Sequence, residues 1–318
     1  MKSKLTVTGA NLVLFTFAVL WFSFQVVLLI LSAKFGESFI TNNIYGALLI
    51  NQYVIILFPI LIYAGVKRLN LKSTFRFNKI GPVPLLLIIA ISIPAYFVFA
   101  ALDTIVVFLL QFIGDIPPQP IPIPKNAIEL LIGILVLAVS PAICEEMLHR
   151  GLMLRAYENR GSIKAIAITS IIFGFFHFDI KNLIGPIFLG FILGYYVVKT
   201  NSIFAGMFAH FLNNTIAEVL QFIGKDVPVP QKLTVSPGEL GSVAVLGFIC
   251  LIVVFLLLKL FSYATEGIYE MKPSLTSIRN DFLSIATHWP IIAVFVLYIL
   301  MQLLFIMTII ITRVKGLP

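Results

Sequence analysis

Ionisable and polar side chains in three separate apolar stretches are the residues of this sequence that could carry out chemistry. Ionisable groups are costly to keep at membrane depth, so they are candidates for a functional role. An apolar stretch over residues 130–140 leads directly into the first group, and the other two groups lie within apolar stretches of their own. Together they suggest a polar reaction centre inside a membrane protein. The groups are Glu145, Glu146 and Arg150, then His177, and finally His210 with Asn214.

The first group combines an ion pair with a second carboxylate. Glu146 and Arg150 are four residues apart, so on a helix they can pair along one face. Glu145 is rotated by about 100° around the same helix, which leaves it free to face a cavity. A partly desolvated carboxylate holds a proton more strongly than one in water, which suits a general base near neutral pH. His149, four residues after Glu145, could orient this carboxylate.

The remaining groups supply the other parts of a hydrolytic site. His177, with Phe173 one turn earlier on its face, could hold a water molecule beside Glu145. His210 and Asn214 share one face of a helix and could both donate hydrogen bonds to a developing oxyanion. A base, a held water and oxyanion donors form a complete set for hydrolysis of a peptide bond by activated water.

Signatures of other proteolytic mechanisms are missing from the sequence. It contains neither the H-E-x-x-H of zinc proteases nor the G-x-S-x-G of serine hydrolases. Paired aspartates within spans are also missing, since Asp103 is the only aspartate in the middle of an apolar segment. We expect Asp103 to cap or pair within its span. Cys144 and Cys250 both lie in apolar segments, which excludes a disulfide framework and a thiolate zinc cluster.

The composition is that of a polytopic helical membrane protein. Of the 318 residues, 60% are hydrophobic and 11% are charged, whereas soluble domains average about 25% charged residues. The apolar runs are unbroken, unlike the alternating strands of an outer-membrane barrel. We attribute the net charge of +8 to cytoplasmic loops rather than to nucleic-acid binding. The expected partners are membrane lipids and a peptide or membrane-protein substrate.

Nine apolar segments predict an all-α fold, a polytopic transmembrane helical bundle of about 8–9 spans. The third segment is long, so we expect it to tilt or to kink near Pro94. We divide the chain into N-terminal helices over 1–126, a catalytic helical core over 127–223 and C-terminal helices over 224–318. The segments cover approximately 11–33, 44–66, 82–114, 127–153, 163–179, 183–199, 202–223, 242–262 and 289–312.

The distribution of basic residues predicts the orientation in the membrane. With the N-terminus inside, about fourteen Lys and Arg residues lie on the inner side and seven on the outer side, which favours a cytoplasmic N-terminus. The inner set includes Lys2 and Lys4, and the proline-rich segment 115–126 is expected on the outer face. The low-cysteine composition, rich in Ile, Phe, Lys and Asn, fits a bacterial plasma membrane.

Three motifs in order resemble the CPBP family, which comprises the type II CAAX prenyl endopeptidases and their bacterial relatives. The motifs are E-E-x-x-x-R at Glu145–Arg150, F-x-x-x-H at Phe173–His177 and H-x-x-x-N at His210–Asn214. Each motif alone is weak, but three in order, each within a span, form a specific pattern. The resemblance covers about residues 127–223.

The resemblance implies a role for each residue of the motifs. Glu145 would be the catalytic carboxylate, and His177 would help to hold the attacking water. His210 and Asn214 would form the oxyanion site. Family members include both metalloproteases and metal-free glutamate proteases, so zinc bound by Glu145, His177 and His210 and a mechanism without metal both remain open. The supporting residues are Glu146, Arg150 and Phe173.

Two functions of other classes also remain open from the sequence. A transporter could use the same polar residues as a proton or ion path, although transporters usually show paired repeats, and none is evident here. A non-catalytic membrane scaffold or immunity protein could keep the fold and bind partners. The intact set of Glu145, His177, His210 and Asn214 favours the endopeptidase.

Overall fold

The computed structural model describes residues 5–118, 121–274 and 276–315, with only the backbone of Glu37. In these ranges the chain is helical and contains no β-strand. Eight of the described helices are long and apolar enough to cross a membrane, and a ninth apolar helix is shorter. The predicted all-α polytopic bundle is therefore confirmed.

The predicted apolar segments correspond to helices α1 to α8 and α10 of the structure. The third of them, α3, continues through Pro94 over 29 residues. A shorter helix, α9, was not anticipated, and further short helices over Glu37–Asn42 and Leu71–Thr74 lie in connections. The bounds are α1 Val7–Phe35, α2 Ile44–Val66, α3 Pro82–Leu110, α4 Ala127–Arg160, α5 Ser162–Phe176, α6 Ile184–Thr200, α7 Ile203–Ile223, α8 Pro237–Ala264, α9 Ile278–Ala286 and α10 Trp289–Lys315.

Helix α4 changes its hydrogen-bonding pattern along its length. Two of its stretches, Ile134–Val139 and Met147–Met153, have the wider turn of a π-helix. A third such stretch, Ile50–Leu57, lies in α2. π-turns are rare and occur frequently at functional sites. Here two of them flank Ser140–Glu146, the α-helical stretch that carries the adjacent glutamates.

Two apolar cores hold the bundle together, and the glutamates lie where helices of both cores meet. The first core joins α1, α2, α4, α5 and α10 with the adjoining ends of α6 and α7, and the second joins α3, α6, α7 and α8. Helix α7 packs along α4 and so connects the two. Fully buried members of the first core include Ile56, Leu148 and Tyr157, and those of the second include Ile91, Leu193 and Phe261.

One end of the bundle, which we term the basic end, collects cationic side chains around buried acids. Glu158 accepts a hydrogen bond from Arg76 at 2.5 Å. Asp281 of α9 lies 2.6 Å from Arg160 and 2.7 Å from Lys164. Burial raises the pKa of Asp281, but hydrogen bonds from these cations and from a nearby threonine outweigh it and lower the pKa to about 2. Asp281 is therefore charged at neutral pH and anchors α9 to this end.

The opposite end, which we term the cavity end, is formed by the connections that follow α3 and α7. Leu233 donates its main-chain N–H to the Ile116 carbonyl at 2.8 Å, and Asp115 pairs with Lys232 at 3.0 Å. Arg76, Arg160 and Lys164 of the basic end belong to the inner set predicted from the sequence, and Lys232 of the cavity end belongs to the outer set. Lys2 and Lys4 lie outside the described residues, as do residues 119 and 120 of the proline-rich segment.

Candidate active site

Glu146 forms the centre of a buried polar cluster. Its side chain is fully enclosed, and its Oε1 accepts hydrogen bonds from Arg150 at 2.6 Å and from His210 Nδ1 at 3.0 Å. The i,i+4 ion pair predicted from the sequence is therefore formed. It extends to a histidine of α7, so a carboxylate of α4 orients the imidazole.

Arg150 connects the acidic helix to its neighbours. It donates to the main-chain carbonyl of Gly190 on α6 at 3.3 Å, and its guanidinium lies 4.3 Å from the centre of the Phe173 ring on α5. On α7, Gly206 leaves the space that the carboxylate needs, because a Cβ there would lie 2.6 Å from Glu146 Oε2. The ion pair thereby fixes α4 against three other helices.

Glu145 is held by a residue that the motifs do not contain. Gln52 of α2 donates from Nε2 to Glu145 Oε1 at 2.9 Å, and both side chains are buried. The other oxygen, Oε2, lies 4.0 Å from His210 Nε2, which is too far for a direct hydrogen bond. Oε2 is therefore the oxygen of Glu145 that is free to react.

His177 follows the last turn of α5, and its ring is fixed by that turn. Its Nδ1 donates to the Phe173 carbonyl at 2.8 Å, so Nε2 of the neutral ring is a hydrogen-bond acceptor. The Phe173 ring stands edge-on to both His177 and His210. One aromatic side chain thus contacts both imidazoles and limits how they can turn.

Two adjacent asparagines extend the polar face of α7. Asn214 donates from Nδ2 to the Leu137 carbonyl on α4 at 3.0 Å, which leaves its second amide hydrogen. Asn213 is buried, and its Oδ1 has no hydrogen-bond partner within the described part of the chain. The sequence reasoning missed Asn213, although its position three residues after His210 puts it on the same face.

A single cavity of about 440 Å³ joins these groups. Its wall continues to Ile121 and Leu233, so it extends from the glutamates towards the cavity end. Glu146 and Arg150 do not line it and support its wall from behind. The residues predicted to be catalytic all line the cavity, together with Phe173: Glu145, His177, His210 and Asn214.

Comparison with known proteins matches the segment that contains this site. Residues 127–216 match the family described as type II CAAX prenyl endopeptidase, Rce1-like. Over this segment the chain is similar to the CPBP family, as the motifs indicate. YdiL of Bacillus subtilis (strain 168), named provisionally as a membrane peptidase, is 33% identical over 97 residues. That similarity covers 30% of this chain and 39% of the relative. No solved structure matches the chain.

The similarity to CAAX-protease-like membrane peptidases is thus confined to the segment that carries the site. All three motifs lie inside this CPBP segment, whereas α1 to α3 lie before it. Gln52 therefore comes from outside the segment that matches the family model. The signal that could have found it is the polar pair Asn51-Gln52 within the otherwise apolar segment 44–66.

The suggested role of His149 is wrong, and Asp103 caps a different helix from its own. The His149 Nδ1 contacts the main-chain carbonyl of Glu145 at 3.0 Å rather than its carboxylate, because an i,i+4 side chain lies over the carbonyl of the preceding turn. Its ring packs edge-on against Phe176.

Asp103 accepts a hydrogen bond from the Gly185 N–H at 2.9 Å, at the start of α6.

Glu145, His177 and His210 are side chains of the cavity that could bind zinc. Within residues 5–118, 121–274 and 276–315, no three His, Cys, Asp or Glu side chains come together as ligands of one ion. His210 Nδ1 is occupied by Glu146, which leaves one nitrogen of that ring. The possible zinc ligands Glu145, His177 and His210 do not fit a zinc site in this arrangement. Elemental analysis of the purified protein measures its zinc content directly.

Proposed function

We propose that this protein is an intramembrane endopeptidase in which Glu145 activates water to hydrolyse a peptide bond of a membrane-associated peptide or protein. The observation that supports this most directly is the convergence of a carboxylate, two imidazoles and an amide on one cavity inside an apolar bundle. These side chains lie on helices of the CPBP segment. The general peptidase class of the relatives agrees with this chemistry.

The attacking water would be held between two acceptors. Glu145 Oε2 makes no direct bond to His210, and His177 Nε2 is an acceptor because Nδ1 donates to the main chain. A water that donates to both of these atoms directs an oxygen lone pair towards the substrate carbonyl. As that oxygen attacks the carbon, Glu145 takes the proton, and the carbonyl oxygen becomes an oxyanion.

His210 and Asn214 would stabilise that oxyanion. Because Nδ1 of His210 donates to Glu146, its Nε2 can donate only in the imidazolium form. In that form the charges of the two carboxylates, the guanidinium and the imidazolium sum to zero, which reduces the cost of burying them. The second amide hydrogen of Asn214 supplies another donor. During the attack Glu145 becomes neutral as the oxyanion forms, so the total charge stays constant.

Collapse of the tetrahedral intermediate completes the reaction. The proton held by Glu145 passes to the amide nitrogen, the C–N bond breaks, and an amine and a carboxylic acid leave the site. The oxygen from water ends in the new carboxyl group. One side chain thus serves first as base and then as acid, and Gln52 keeps its carboxyl group in place throughout.

We further propose that the protein lies in a bacterial plasma membrane with a cytoplasmic N-terminus. In that orientation the alternation of the spans places the cavity end on the external side. The substrate would then approach the glutamates from the outer half of the bilayer. Reversal of the orientation would place the same entrance on the cytoplasmic side, so labelling of a cysteine introduced in the connection between α7 and α8 decides this point.

The proposed activity is tested by comparing the peptides released in cells that carry the wild-type protein and cells that carry Glu145→Ala. We expect specific fragments of membrane proteins or peptides to disappear in the variant. Identical peptide sets with unchanged biological activity would instead support the non-catalytic scaffold. Flux through proteoliposomes that depends on Glu145, without any cleavage, would support the transporter.

Replacing Gln52 by leucine is expected to lower kcat about 10- to 100-fold, the size of effect that loss of one hydrogen bond to a charged acceptor produces. KM should change little, because the Gln52 amide contacts Glu145 rather than the cavity. Steady-state kinetics measures both quantities.

The neighbouring Asn51 provides the matched control for this variant. Its Oδ1 has no hydrogen-bond partner within the described residues, and it lies in the same π-helical stretch of α2. Asn51→Leu should therefore keep both the kcat and the KM of the wild type. Equal kinetics in Gln52→Leu and Asn51→Leu would show that the contact with Glu145 does not position the base.

A further inference from the structure

Two carboxylates that the proposed mechanism does not use also line the cavity. They are Asp103 on α3 and Glu218 on α7. Glu218 lies two turns beyond His210 along α7, and Asp103 lies two turns before the end of α3, so both are displaced from the catalytic groups towards the cavity end. They belong to different walls of the cavity, because they come from different helices.

Neither carboxylate has a cationic partner within the described residues. Asp103 accepts a hydrogen bond from a main-chain N–H of α6. Glu218 is only 4% exposed, and its Oε2 has no hydrogen-bond partner among those residues. Lys181 also lines the cavity, but its Nζ lies 3.8 Å from Asp179 and 5.1 Å from the centre of the Phe305 ring. Its charge is thus engaged outside the cavity.

A glycine of α4 leaves room for the buried Glu218 carboxylate. A Cβ at Gly133 of α4 would lie 2.6 Å from Glu218 Oε2, so a larger residue there would displace the carboxylate. A buried polar atom without a partner is expensive, and a buried charge without a counter-charge is more so. A ligand that brings a positive charge and a hydrogen-bond donor would remove both costs.

The ligand that fits these two carboxylates is a basic side chain rather than a metal ion. No group of three acidic, histidine or cysteine side chains in the described ranges could hold an ion, and the two carboxylates lie on separate helices. A Lys or Arg side chain needs only one carboxylate and brings several N–H donors. The cavity leads from Glu145 past Glu218 and Asp103 to the cavity end. An extended substrate would follow this route.

We propose that Glu218, assisted by Asp103, binds a Lys or Arg side chain of the substrate a few residues from the cleaved bond. This inference rests on the proposed endopeptidase function and names its substrate class. Glu218 lies eight positions after His210 on the same helix, a rise of about 12 Å. An extended peptide advances about 3.3 Å per residue, so the basic residue lies about three to four residues from the cleaved bond.

The experiment uses the Glu145→Gln variant, so that binding is measured without cleavage. A set of short apolar fluorescent peptides carries one lysine at successive positions, and each has a counterpart with neutral norleucine. We expect one lysine position to bind about 10-fold more tightly than its norleucine counterpart, as one charge-assisted hydrogen bond provides. Adding Glu218→Gln should remove that preference. Adding Glu129→Gln should not, because Glu129 lies outside the cavity and accepts from Lys125 and Asn126.

The outcomes separate this inference from the proposed function. Equal binding of lysine and norleucine peptides at every position would overturn the subsite, as would a preference that survives in Glu218→Gln. If Glu218→Gln does not fold, Asp103→Asn in the same background should reduce the preference, and an undiminished preference would count against the subsite. A wild-type protein that binds the lysine peptide selectively but cleaves no peptide would overturn the endopeptidase and leave the subsite standing.

Discussion

Replacing Glu145 by glutamine is expected to lower the rate of peptide cleavage by at least about 10²–10⁴-fold, the contribution typical of a general base. Glutamine has the same shape, and its Oε1 can still accept the hydrogen bond from Gln52. It cannot take a proton from water at neutral pH. The loss should therefore appear in kcat, with KM and the melting temperature close to those of the wild type. Purified protein in liposomes and a substrate identified from the cellular peptides allow both measurements.

Glu129→Gln is the matched control for this prediction. It removes a carboxylate from the same helix, α4, at a position outside the cavity. Its cleavage rate should equal that of the wild type. A Glu145→Gln protein that retains wild-type kcat would exclude this carboxylate as the base, and another group would have to activate the water. A variant that fails to fold would be replaced by Glu145→Asp, whose shortened side chain moves the base away from the water and should also lower kcat.

The largest expected effect on stability follows from replacing Arg150 by leucine. Glu146 would lose its counter-charge while remaining fully enclosed, and its hydrogen bond at 2.6 Å would be lost. Removing one partner of a buried ion pair typically costs about 3–5 kcal/mol of folding free energy. Contacts of Arg150 with Gly190 and with the Phe173 ring would also disappear. We expect a clear fall in the melting temperature of the protein in detergent, together with loss of activity.

A second arginine of α4 allows the contribution of a partly exposed ion pair to folding stability to be compared. Arg155 is 32% exposed and pairs with Glu158, which keeps Arg76 as another partner. Arg155→Leu should cost no more than about 1 kcal/mol, as is usual for pairs near solvent. Similar melting temperatures for the two leucine variants would show that burial does not set the strength of these pairs. Glu146→Gln/Arg150→Leu, which removes both charges, should be more stable than Arg150→Leu alone.

Much of the site could be predicted because its motifs have helical spacing. Glu146 and Arg150 are four residues apart, and a helix brings such residues together whatever surrounds it. Apolar length likewise predicts spans without knowledge of their packing. The same local reasoning failed for His149, because i,i+4 spacing does not say whether a ring meets a carboxylate or a main-chain carbonyl. Asn213 was missed because the motif names only His210 and Asn214, and the width of the α7 face that lines the cavity depends on how α7 is rotated.

The sequence by itself determined the membrane class, the helical architecture and the identities of four polar residues that line the cavity, Glu145, His177, His210 and Asn214. These properties follow from hydropathy and from spacing along single helices. Only the tertiary structure decided that Gln52 holds Glu145, a contact between residues 93 positions apart. It also decided that His210 is oriented by Glu146, and that the cavity extends past Asp103 and Glu218. Such contacts depend on the rotation and depth of helices relative to one another, and the packing of the whole bundle sets both.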